Sequence, residues 1–293
     1  MPDDSFDPPI DAWSRALRAW ARSSLPGRNS AFRKFRRRNL GRRFDVTTTR
    51  GFRLGGIIGD SVENAVAVRG EFEPGLTKFL TAQFRESASF VDLGCNIGYF
   101  SCLFRHLQPR GRLLSIDANP RMAGACRENL AANSNRAEAT GVATVLHQAI
   151  GAEAGVAQLQ MPKARASRGT LGDLQLDPTA IETFAVPMDT LAATFAANAM
   201  GEIEVMKIDV EGFEATVLRS APSAVAEKLK CIVFEFSESN LQQCGATRDD
   251  FGRIEWLKLF SVASLDERDG TLHPLSAVTD HAGSEGTIVL RRR

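Results

Sequence analysis

The stretch FVDLGCNIGYFS, residues 90–101, decides the fold of this chain. It opens with a short apolar run whose one polar member is Asp92, and Gly94 and Gly98 then bracket a turn. An apolar pattern with helical spacing begins at Tyr99. A strand, a glycine-bearing turn and a helix in this order open a nucleotide-binding βαβ unit. Such a turn points the unpaired N–H groups of the helix towards an anionic group at the carboxyl end of the strand.

The next predicted strand indicates what kind of ligand the unit binds. Residues 112–117 (RLLSID) form a second apolar run that ends on Asp117, and Asn119 and Pro120 begin another helix. Asp117 follows Asp92 by 25 residues, close to the spacing of about 20 at which an acidic side chain binds ribose hydroxyls. We therefore predict a nucleoside-containing ligand. The alternative is an ordinary βαβ unit whose acidic strand ends are solvated.

NAD is the first candidate for this ligand. Its fingerprint is G-x-G-x-x-G, in which the second glycine lets the backbone approach the pyrophosphate. Asn96 occupies that second position here. The remaining pattern, D-x-G-x-N-x-G, suits S-adenosylmethionine better, because this cofactor has no phosphate and its cationic groups favour a carboxylate such as Asp92. Its own carboxylate can lie at the helix N-terminus. A nicotinamide-dependent oxidoreductase is therefore the less favoured enzyme class.

Four ordered blocks resemble a known family. VDLGCNIGYFS, SIDANP, MDTL and MKIDVEGFE stand in the order and spacing of the FkbM family of S-adenosylmethionine-dependent methyltransferases, and the resemblance covers residues 70–239. It implies S-adenosyl-L-methionine as the cofactor. It also implies methyl transfer to a hydroxyl oxygen of a small molecule or carbohydrate, such as a polyketide, sugar or glycan. In one departure, the chain has Asp117 and Ala118 where the family usually has Glu-Pro.

The turn, the strand ends and the resemblance together predict the cofactor site. Glu73 enters because it lies in a block that in the family usually reads glycine, aromatic, glutamate; a carboxylate favoured by the start of a helix is an equally good explanation. Gln148 and Ala149 end a third predicted strand, residues 142–150, where related enzymes hold the adenine. The predicted cofactor-binding residues are Glu73, Asp92, Gly94, Asn96, Gly98, Asp117, Asn119, Gln148 and Ala149.

Three carboxylates are the predicted catalytic groups. Asp209 and Glu211 follow the fourth predicted strand, residues 203–208, and Glu235 lies near the end of the fifth. The carboxyl ends of parallel strands are where α/β folds place their active sites. An alcohol is a poor nucleophile, so methyl transfer to it needs positioning and a base that takes the proton. We predict Asp209 and Glu211 as the best bases, with Glu235 behind them.

Two alternatives to this catalytic role stay open. One of the carboxylates after the fourth strand could cap the helix that follows Gly212, with the other solvated. The three carboxylates are also the oxygen ligands that magnesium takes, but the sequence does not show that they converge, and we predict no metal site.

Composition predicts a mixed α/β protein. The 293 residues are 43% hydrophobic, and no apolar run approaches the roughly 18 residues that a membrane-spanning helix needs. The first thirty residues lack the apolar stretch of a signal peptide. Five cysteines without a C-x-x-C pair favour reduced thiols in a cytoplasm. We predict a doubly wound, Rossmann-like sheet of about seven strands that ends in an antiparallel hairpin, formed by SVASL and TIVL.

The first 43 residues differ from the rest in charge. They hold eleven Lys and Arg against four Asp, whereas residues 44–293 hold twenty-five against thirty-one acidic groups. Trp13, Leu17 and Trp20 form an apolar helical stripe, and eight basic residues follow between Arg28 and Arg43. We predict a basic helical arm, residues 1–43, before a methyltransferase domain, residues 44–293.

The basic arm suggests several partners. It could bind an anionic membrane surface or a phosphorylated substrate, with nucleic acid less favoured. It could equally pack its aromatic side chains on the core and leave its charges in solvent. The expected location is the cytoplasm, with peripheral attachment to a membrane. A non-catalytic, membrane-associated adaptor is the remaining alternative function.

Overall fold

The structure is a computed structural model that describes residues 12–86, 88–134, 139–163 and 169–293. The chain divides into two compact units, Met1–Phe72 and Glu73–Arg293. The first is described from residue 12 onward. It extends past residue 43, so the predicted boundary of the basic arm falls inside it. A separate role for residues 1–43 stays a prediction.

The first unit combines three helices with a two-stranded sheet. Its elements are α1 (Ala12–Arg22), α2 (Arg28–Asn39), β1 (Arg43–Thr47), β2 (Arg53–Ile57) and α3 (Ser61–Arg69). β1 and β2 pair antiparallel, and α1 packs against both α2 and α3. Leu17 and Phe35 are buried, whereas Trp13 and Trp20 are exposed. Of the predicted apolar stripe on α1, only the middle residue therefore reaches this unit's core.

The second unit begins with α4 (Pro74–Phe84) and alternates strands and helices along most of its length. Its first half contains β3 (Ser89–Leu93), α5 (Tyr99–Leu107), β4 (Arg112–Asp117), α6 (Pro120–Ala132), β5 (Ala143–His147), β6 (Ala149–Ile150), β7 (Gly155–Pro162), β8 (Ile181–Asp189) and α7 (Leu191–Ala197). Its second half contains β9 (Ile203–Ile208), α8 (Glu214–Ser220), α9 (Ser223–Ala226), β10 (Leu229–Ser237), α10 (Glu238–Gln243), α11 (Asp249–Gly252), β11 (Phe260–Leu265), β12 (Leu272–Leu275) and β13 (Glu285–Arg292).

The central sheet has eight strands in the order β12-β11-β13-β10-β9-β3-β4-β5. The five strands from β10 to β5 run parallel, and β13, β11 and β12 pair antiparallel. From β3 the chain first builds outward to β4 and β5 and then to β9 and β10 on the other side. The order of strands thus reverses between β3 and β9, where doubly wound folds bind their ligands.

The predicted doubly wound, Rossmann-like fold is confirmed. The predicted strands SVASL and TIVL are β11 and β13, which do pair antiparallel, but β13 lies between β10 and β11. The chain between them adds the eighth strand, β12, which the prediction of about seven strands lacks. β12 is short, contains Pro274 and lies at the edge of the sheet. Proline is tolerated there because an edge strand leaves N–H groups unpaired.

A smaller sheet, in the order β6-β8-β7, stands beside the central one. It explains why the predicted third strand, residues 142–150, is two strands. β5 ends at His147 on the central sheet, and Gln148 then donates its backbone N–H to the carbonyl of Asp117 at 3.0 Å. Ala149 and Ile150 pair instead with β8. Gln148 therefore lies where the chain passes from one sheet to the other.

The central strands are apolar because both faces of the sheet are covered. β3 is buried at every residue, and β9 is buried at all but one. All five cysteines are free, and Cys95, Cys102, Cys126 and Cys231 are buried. None of the described helices is long and apolar enough to cross a membrane.

Candidate active site

The loops after β3 and β9 touch at the point where the strand order reverses. Gly94 follows β3 with a φ of 79°, a left-handed conformation that glycine adopts without strain. A Cβ on Gly94 would lie 1.7 Å from the backbone oxygen of Asp209. Asp209 in turn donates its N–H to the carbonyl of Leu93 at 2.9 Å. Only glycine therefore lets the two loops approach this closely.

Asp117, at the end of β4, holds the loop after β3 in place. Its Oδ2 accepts the backbone N–H of Asn96 at 2.8 Å, and its Oδ1 accepts that of Asn119 at 2.8 Å. Asn96 has a φ of 51°, a left-handed backbone conformation that costs free energy for a residue other than glycine. The hydrogen bond from its N–H to Asp117 stabilises this conformation. Burial raises the pKa of Asp117 to about 6, although the two N–H groups act in the opposite direction. Each carboxylate oxygen has a further lone pair to offer.

A cleft that is partly open to solvent lies beside these loops. Six of the nine predicted cofactor-binding residues line it, namely Gly94, Asn96, Asp117, Asn119, Gln148 and Ala149. Its apolar walls include Ile116, Leu159, Leu171 and Phe213, and Asp209 and Glu211 also line it. The structure therefore brings most of the predicted cofactor site to one place.

Gly98 and Asp92 lie outside the lining of the cleft. A Cβ on Gly98 would lie 2.7 Å from the Sγ atom of Cys126, so Gly98 lets α5 pack closely on α6. Asp92 is 1% exposed, and its Oδ2 accepts a hydrogen bond from Ser101 Oγ at 2.5 Å. Its Oδ1 is buried without a hydrogen-bond partner. Burial raises the pKa of Asp92 above its usual range.

Glu73 also lies outside the lining of the cleft. It is the N-cap residue of α4, with a φ of 39° and no hydrogen bond from its side chain to the cap. Burial raises the pKa of Glu73 to about 8, and the negative charge of Asp209 adds to the effect. Glu73 therefore interacts electrostatically with the group of charges around Asp209. The sequence does not reveal this interaction.

Lys207 balances these charges. It is 4% exposed on β9, and its Nζ lies 2.9 Å from Asp209 Oδ2. The same Nζ lies 5.4 Å from the centre of the Phe100 ring. Burial lowers the pKa of Lys207, but the carboxylates of Asp209, Asp92 and Glu73 together raise it above its usual range. The lysine therefore carries a charge inside the sheet and fixes the side chain of Asp209.

Glu214, and neither of the two predicted bases, holds the turn after β9. Its Oε1 accepts the backbone N–H of Val210 at 2.9 Å and that of Gly212 at 3.3 Å. Burial raises the pKa of Glu214 to about 7. β9 ends at Ile208, and Glu211 has a φ of 51°, so the strand does not continue through Asp209 and Glu211. Instead, Glu211 Oε2 accepts a hydrogen bond from Asn240 Nδ2 at 3.0 Å.

Glu235 lies among the other carboxylates at the end of β10. The residue as a whole is exposed, but the surrounding protein partly desolvates its carboxyl group. The negative charge of Asp209, then burial, and then Glu211 and Glu214 hold the pKa of Glu235 well above its usual range. The three predicted catalytic carboxylates are thus close enough to influence one another. In the described part of the chain, no group of three or more His, Cys, Asp or Glu residues is placed to hold a metal ion.

Lys207 and Glu214 are the main residues that the sequence reasoning missed. Lys207 is the one basic residue in the strand IEVMKI, and a charged residue in a buried strand needs a partner. Glu214 is the last residue of the block MKIDVEGFE. Leu159 and Leu171 come from β7 and the chain that follows it, and nothing in their sequence context indicates a cleft wall.

The donors and walls of the cleft fit a nucleoside cofactor. The carboxylate of Asp117 can accept hydrogen bonds from ribose hydroxyls, and the apolar walls suit the flat face of a base. None of the described residues that line the cleft is basic, whereas the phosphates of a dinucleotide would favour a basic side chain. A doubly wound sheet with this cleft is compatible with an S-adenosylmethionine-dependent methyltransferase.

Comparison with known proteins identifies the family. The family described as Methyltransferase FkbM domain matches residues 92–260, more than half of the chain. The chain therefore belongs to the FkbM family of methyltransferases, and its cofactor is S-adenosylmethionine. A search of curated proteins found no match.

Several solved structures are similar to the chain. A precorrin-6y C5,15-methyltransferase from Geobacter metallireducens is 12% identical over 74% of this chain and 88% of its own, with a TM-score of 0.37. An O-methyltransferase from Bacillus cereus in complex with SAH is 10% identical over 76% and 83%, with a TM-score of 0.36. The magnesium protoporphyrin IX methyltransferase from Synechocystis with bound SAM is 12% identical over 98% and 100%, with a TM-score of 0.35. The family assignment rests on the domain match.

Replacing Asp117 with alanine should affect both cofactor and fold. The loss of hydrogen bonds to a charged group costs roughly 1.5–3 kcal/mol, or about tenfold to a few hundredfold in affinity. The backbone N–H groups of Asn96 and Asn119 also lose their acceptor. We expect weaker S-adenosylmethionine binding by calorimetry and a lower melting temperature. Asp173→Ala, outside the cleft lining, is the control; unchanged affinity in Asp117→Ala would remove Asp117 from the site.

The raised pKa values predict that the folded protein loses stability as pH rises. The pKa of Asp117 is about 6, that of Glu214 about 7 and that of Glu73 about 8, all above their ordinary values. Over this window the folded chain binds more protons than the unfolded chain, so the free energy of unfolding falls with increasing pH. We expect a lower melting temperature at about pH 8 than at about pH 5.5, and a shallower decline in Glu73→Gln. A flat or rising profile would contradict the crowding of these carboxylates.

Proposed function

We propose that the protein transfers a methyl group from S-adenosylmethionine to a hydroxyl oxygen of a small molecule or carbohydrate. The observation that carries this proposal is the carboxylate group formed by Asp209, Glu211 and Glu235 beside the cofactor cleft. When bound, S-adenosylmethionine supplies an electrophilic methyl group next to a positive charge. A hydroxyl that attacks such a methyl must lose its proton, and a base positioned to take it accelerates this type of step.

The three carboxylates have different freedom to act as that base. Asp209 is held by Lys207, and Glu211 accepts a hydrogen bond from Asn240. Glu235 is the exposed member. Its neighbours' negative charges favour its protonated form, so Glu235 holds a proton more strongly than an ordinary glutamate does. We therefore assign the proton acceptor to Glu235, and the positioning of the hydroxyl to Asp209 and Glu211.

The charges around Glu235 determine the pH at which it can act as a base. Crowded carboxylates raise one another's proton affinity, and an opposite charge nearby lowers it again. In the protein alone the pKa of Glu235 lies well above its usual range, which disfavours its ionised form. Glu235 accepts a proton in its ionised form, and the ionised fraction grows as the pH rises. Activity should therefore rise with pH until Glu235 is ionised, and Glu235→Gln should lose this dependence.

The identity of the labelled product tests the proposal. The purified protein is incubated with S-adenosylmethionine carrying an isotope-labelled methyl group and with extract from its host cells. The labelled product is then isolated, and the atom bonded to the new methyl carbon is identified by magnetic resonance. A methyl ether supports the proposal, whereas a label on nitrogen or carbon overturns it. Calorimetry with NADH in place of S-adenosylmethionine should show no binding, since Asn96 and Asp117 suit a phosphate-free nucleoside.

A further inference from the structure

A second concave pocket lies entirely within the first unit. Four arginines line it together with Asn29 and Thr49: Arg22 from the end of α1, Arg28 and Arg33 from α2, and Arg69 from the end of α3. Like charges repel, so such a group is costly unless an anion offsets it. The arrangement therefore has the charge of a binding site for an anion.

Among the described residues, no acidic side chain forms an ion pair with any of these four arginines. In the described part of the first unit the ion pairs are Arg50 with Glu71 and Arg53 with Asp45, and neither involves the pocket. The four guanidinium groups lie in a depression of the surface, where a bound anion would be surrounded from several directions.

Two of the guanidinium groups are held in place by neighbouring groups. Arg22 donates its Nε–H to the carbonyl oxygen of Val68. Arg69 lies over the ring of Phe32, with 5.6 Å between the guanidinium carbon and the ring centre. A side chain that is already ordered loses less conformational entropy when it binds a ligand. The pocket is therefore partly preorganised.

The start of α2 offers a further anion-binding feature at the same place. Arg28 and Asn29 are its first two residues, and its N-cap residue, Gly27, has no side chain to accept the free N–H groups. The first turn of this 12-residue helix contains no acidic residue. The N-terminus of a helix carries a partial positive charge and favours an anion. The arginines and the helix end thus attract the same kind of ligand.

We infer that this pocket binds a phosphoryl group, carried either by a soluble phosphorylated molecule or by a lipid headgroup. The planar guanidinium group of arginine donates two parallel hydrogen bonds that match the oxygens of a phosphate. A phosphoryl group offers three oxygens and up to two negative charges, which several arginines can share. The ligand chemistry follows from the pocket itself and does not depend on the proposed methyl acceptor.

Inorganic pyrophosphate is the first probe, titrated into the full chain and followed by calorimetry. The test variant is Arg28→Gln with Arg33→Gln, which removes two charges from the pocket. The matched control is Arg36→Gln with Arg37→Gln, which removes two exposed charges from the same helix outside the pocket. Deleting residues 1–43 is unsuitable, because Leu17 and Phe35 are buried in the first unit. Melting curves establish that both variants are folded.

Vesicles distinguish the two sources of the phosphoryl group. The same three proteins are sedimented with vesicles that contain phosphatidylglycerol and with vesicles of phosphatidylcholine alone. We expect the pocket variant to lose about tenfold or more in affinity for pyrophosphate, for phosphatidylglycerol vesicles or for both, while the control stays near the unmodified protein. Binding of pyrophosphate indicates a soluble ligand, and pocket-dependent sedimentation without it indicates a headgroup. Equal losses in both variants, or no binding of either probe, would overturn the inference.

Discussion

Glutamine in place of Glu235 is expected to lower methyl-transfer turnover by roughly 10²–10⁴ while S-adenosylmethionine affinity is nearly unchanged. The amide keeps the shape of the side chain but cannot take a proton. Glu235 lies outside the cleft lining, so its loss should leave cofactor binding intact. Turnover is measured with the labelled methyl group, and affinity by calorimetry on the same preparation.

Two comparisons sharpen this expectation. Glu227→Gln is the matched control, because Glu227 is exposed and lies just before the start of β10, at the opposite end of that strand from Glu235. Asp209→Asn and Glu211→Gln should also lower turnover, but Asp209→Asn should in addition lower the melting temperature, since Lys207 loses its partner. If Glu235→Gln turns over like the control, the proton acceptor is one of the other two carboxylates.

Methionine in place of Lys207 is expected to destabilise the fold by about 3–5 kcal/mol, the cost of breaking a buried ion pair from one side. Methionine fits a similar space but leaves Asp209 without its cation and Asp92 without the nearest positive charge. Burial of Asp92 makes that loss costly, because an uncompensated carboxylate in an apolar interior is poorly solvated. The free energy of unfolding, measured with urea, checks the value.

Lys230→Met provides the control on the neighbouring strand. Lys230 Nζ lies 2.9 Å from Glu202 Oε2, but both side chains are half-exposed or more. Exposed ion pairs contribute little, because water screens them and ordering two long side chains costs entropy. We expect a barely measurable change. Similar losses in the two variants would mean that Lys207 stabilises the sheet through its packing and not through its charge.

The sequence predicts the start of the site well because the signals there are local. β3 ends at Leu93 and α5 begins at Tyr99, as the apolar pattern indicates. Gly94 and Gly98 both adopt positive φ, which their place in the turn suggests. Asp117 lies at the end of β4 and lines the cleft. Strand, turn and helix periodicities each depend on a few consecutive residues, so one sequence suffices to find them.

The rest depends on contacts between distant segments. Asn240 reaches Glu211 from α10, and Glu73 joins the charges around Asp209 from the start of α4. Neither relation leaves a pattern in consecutive residues. The raised proton affinity of Glu235 likewise follows from the crowding of carboxylates around it. The sequence therefore places Asp209 and Glu211 first, whereas we propose Glu235 as the proton acceptor.

The buried thiols near the cofactor loop can report how often the site opens. Burial raises the pKa values of the Cys95 and Cys102 thiols well above their usual range, and Gly98 packs against Cys126. An alkylating reagent needs both access and a thiolate. These cysteines should therefore react only when the start of α5 lifts away from α6, and the alkylation rate counts those excursions. Cofactor binding, by holding the loop closed, should therefore lower the alkylation rate of these cysteines. The measurement needs no probe to be introduced into the protein.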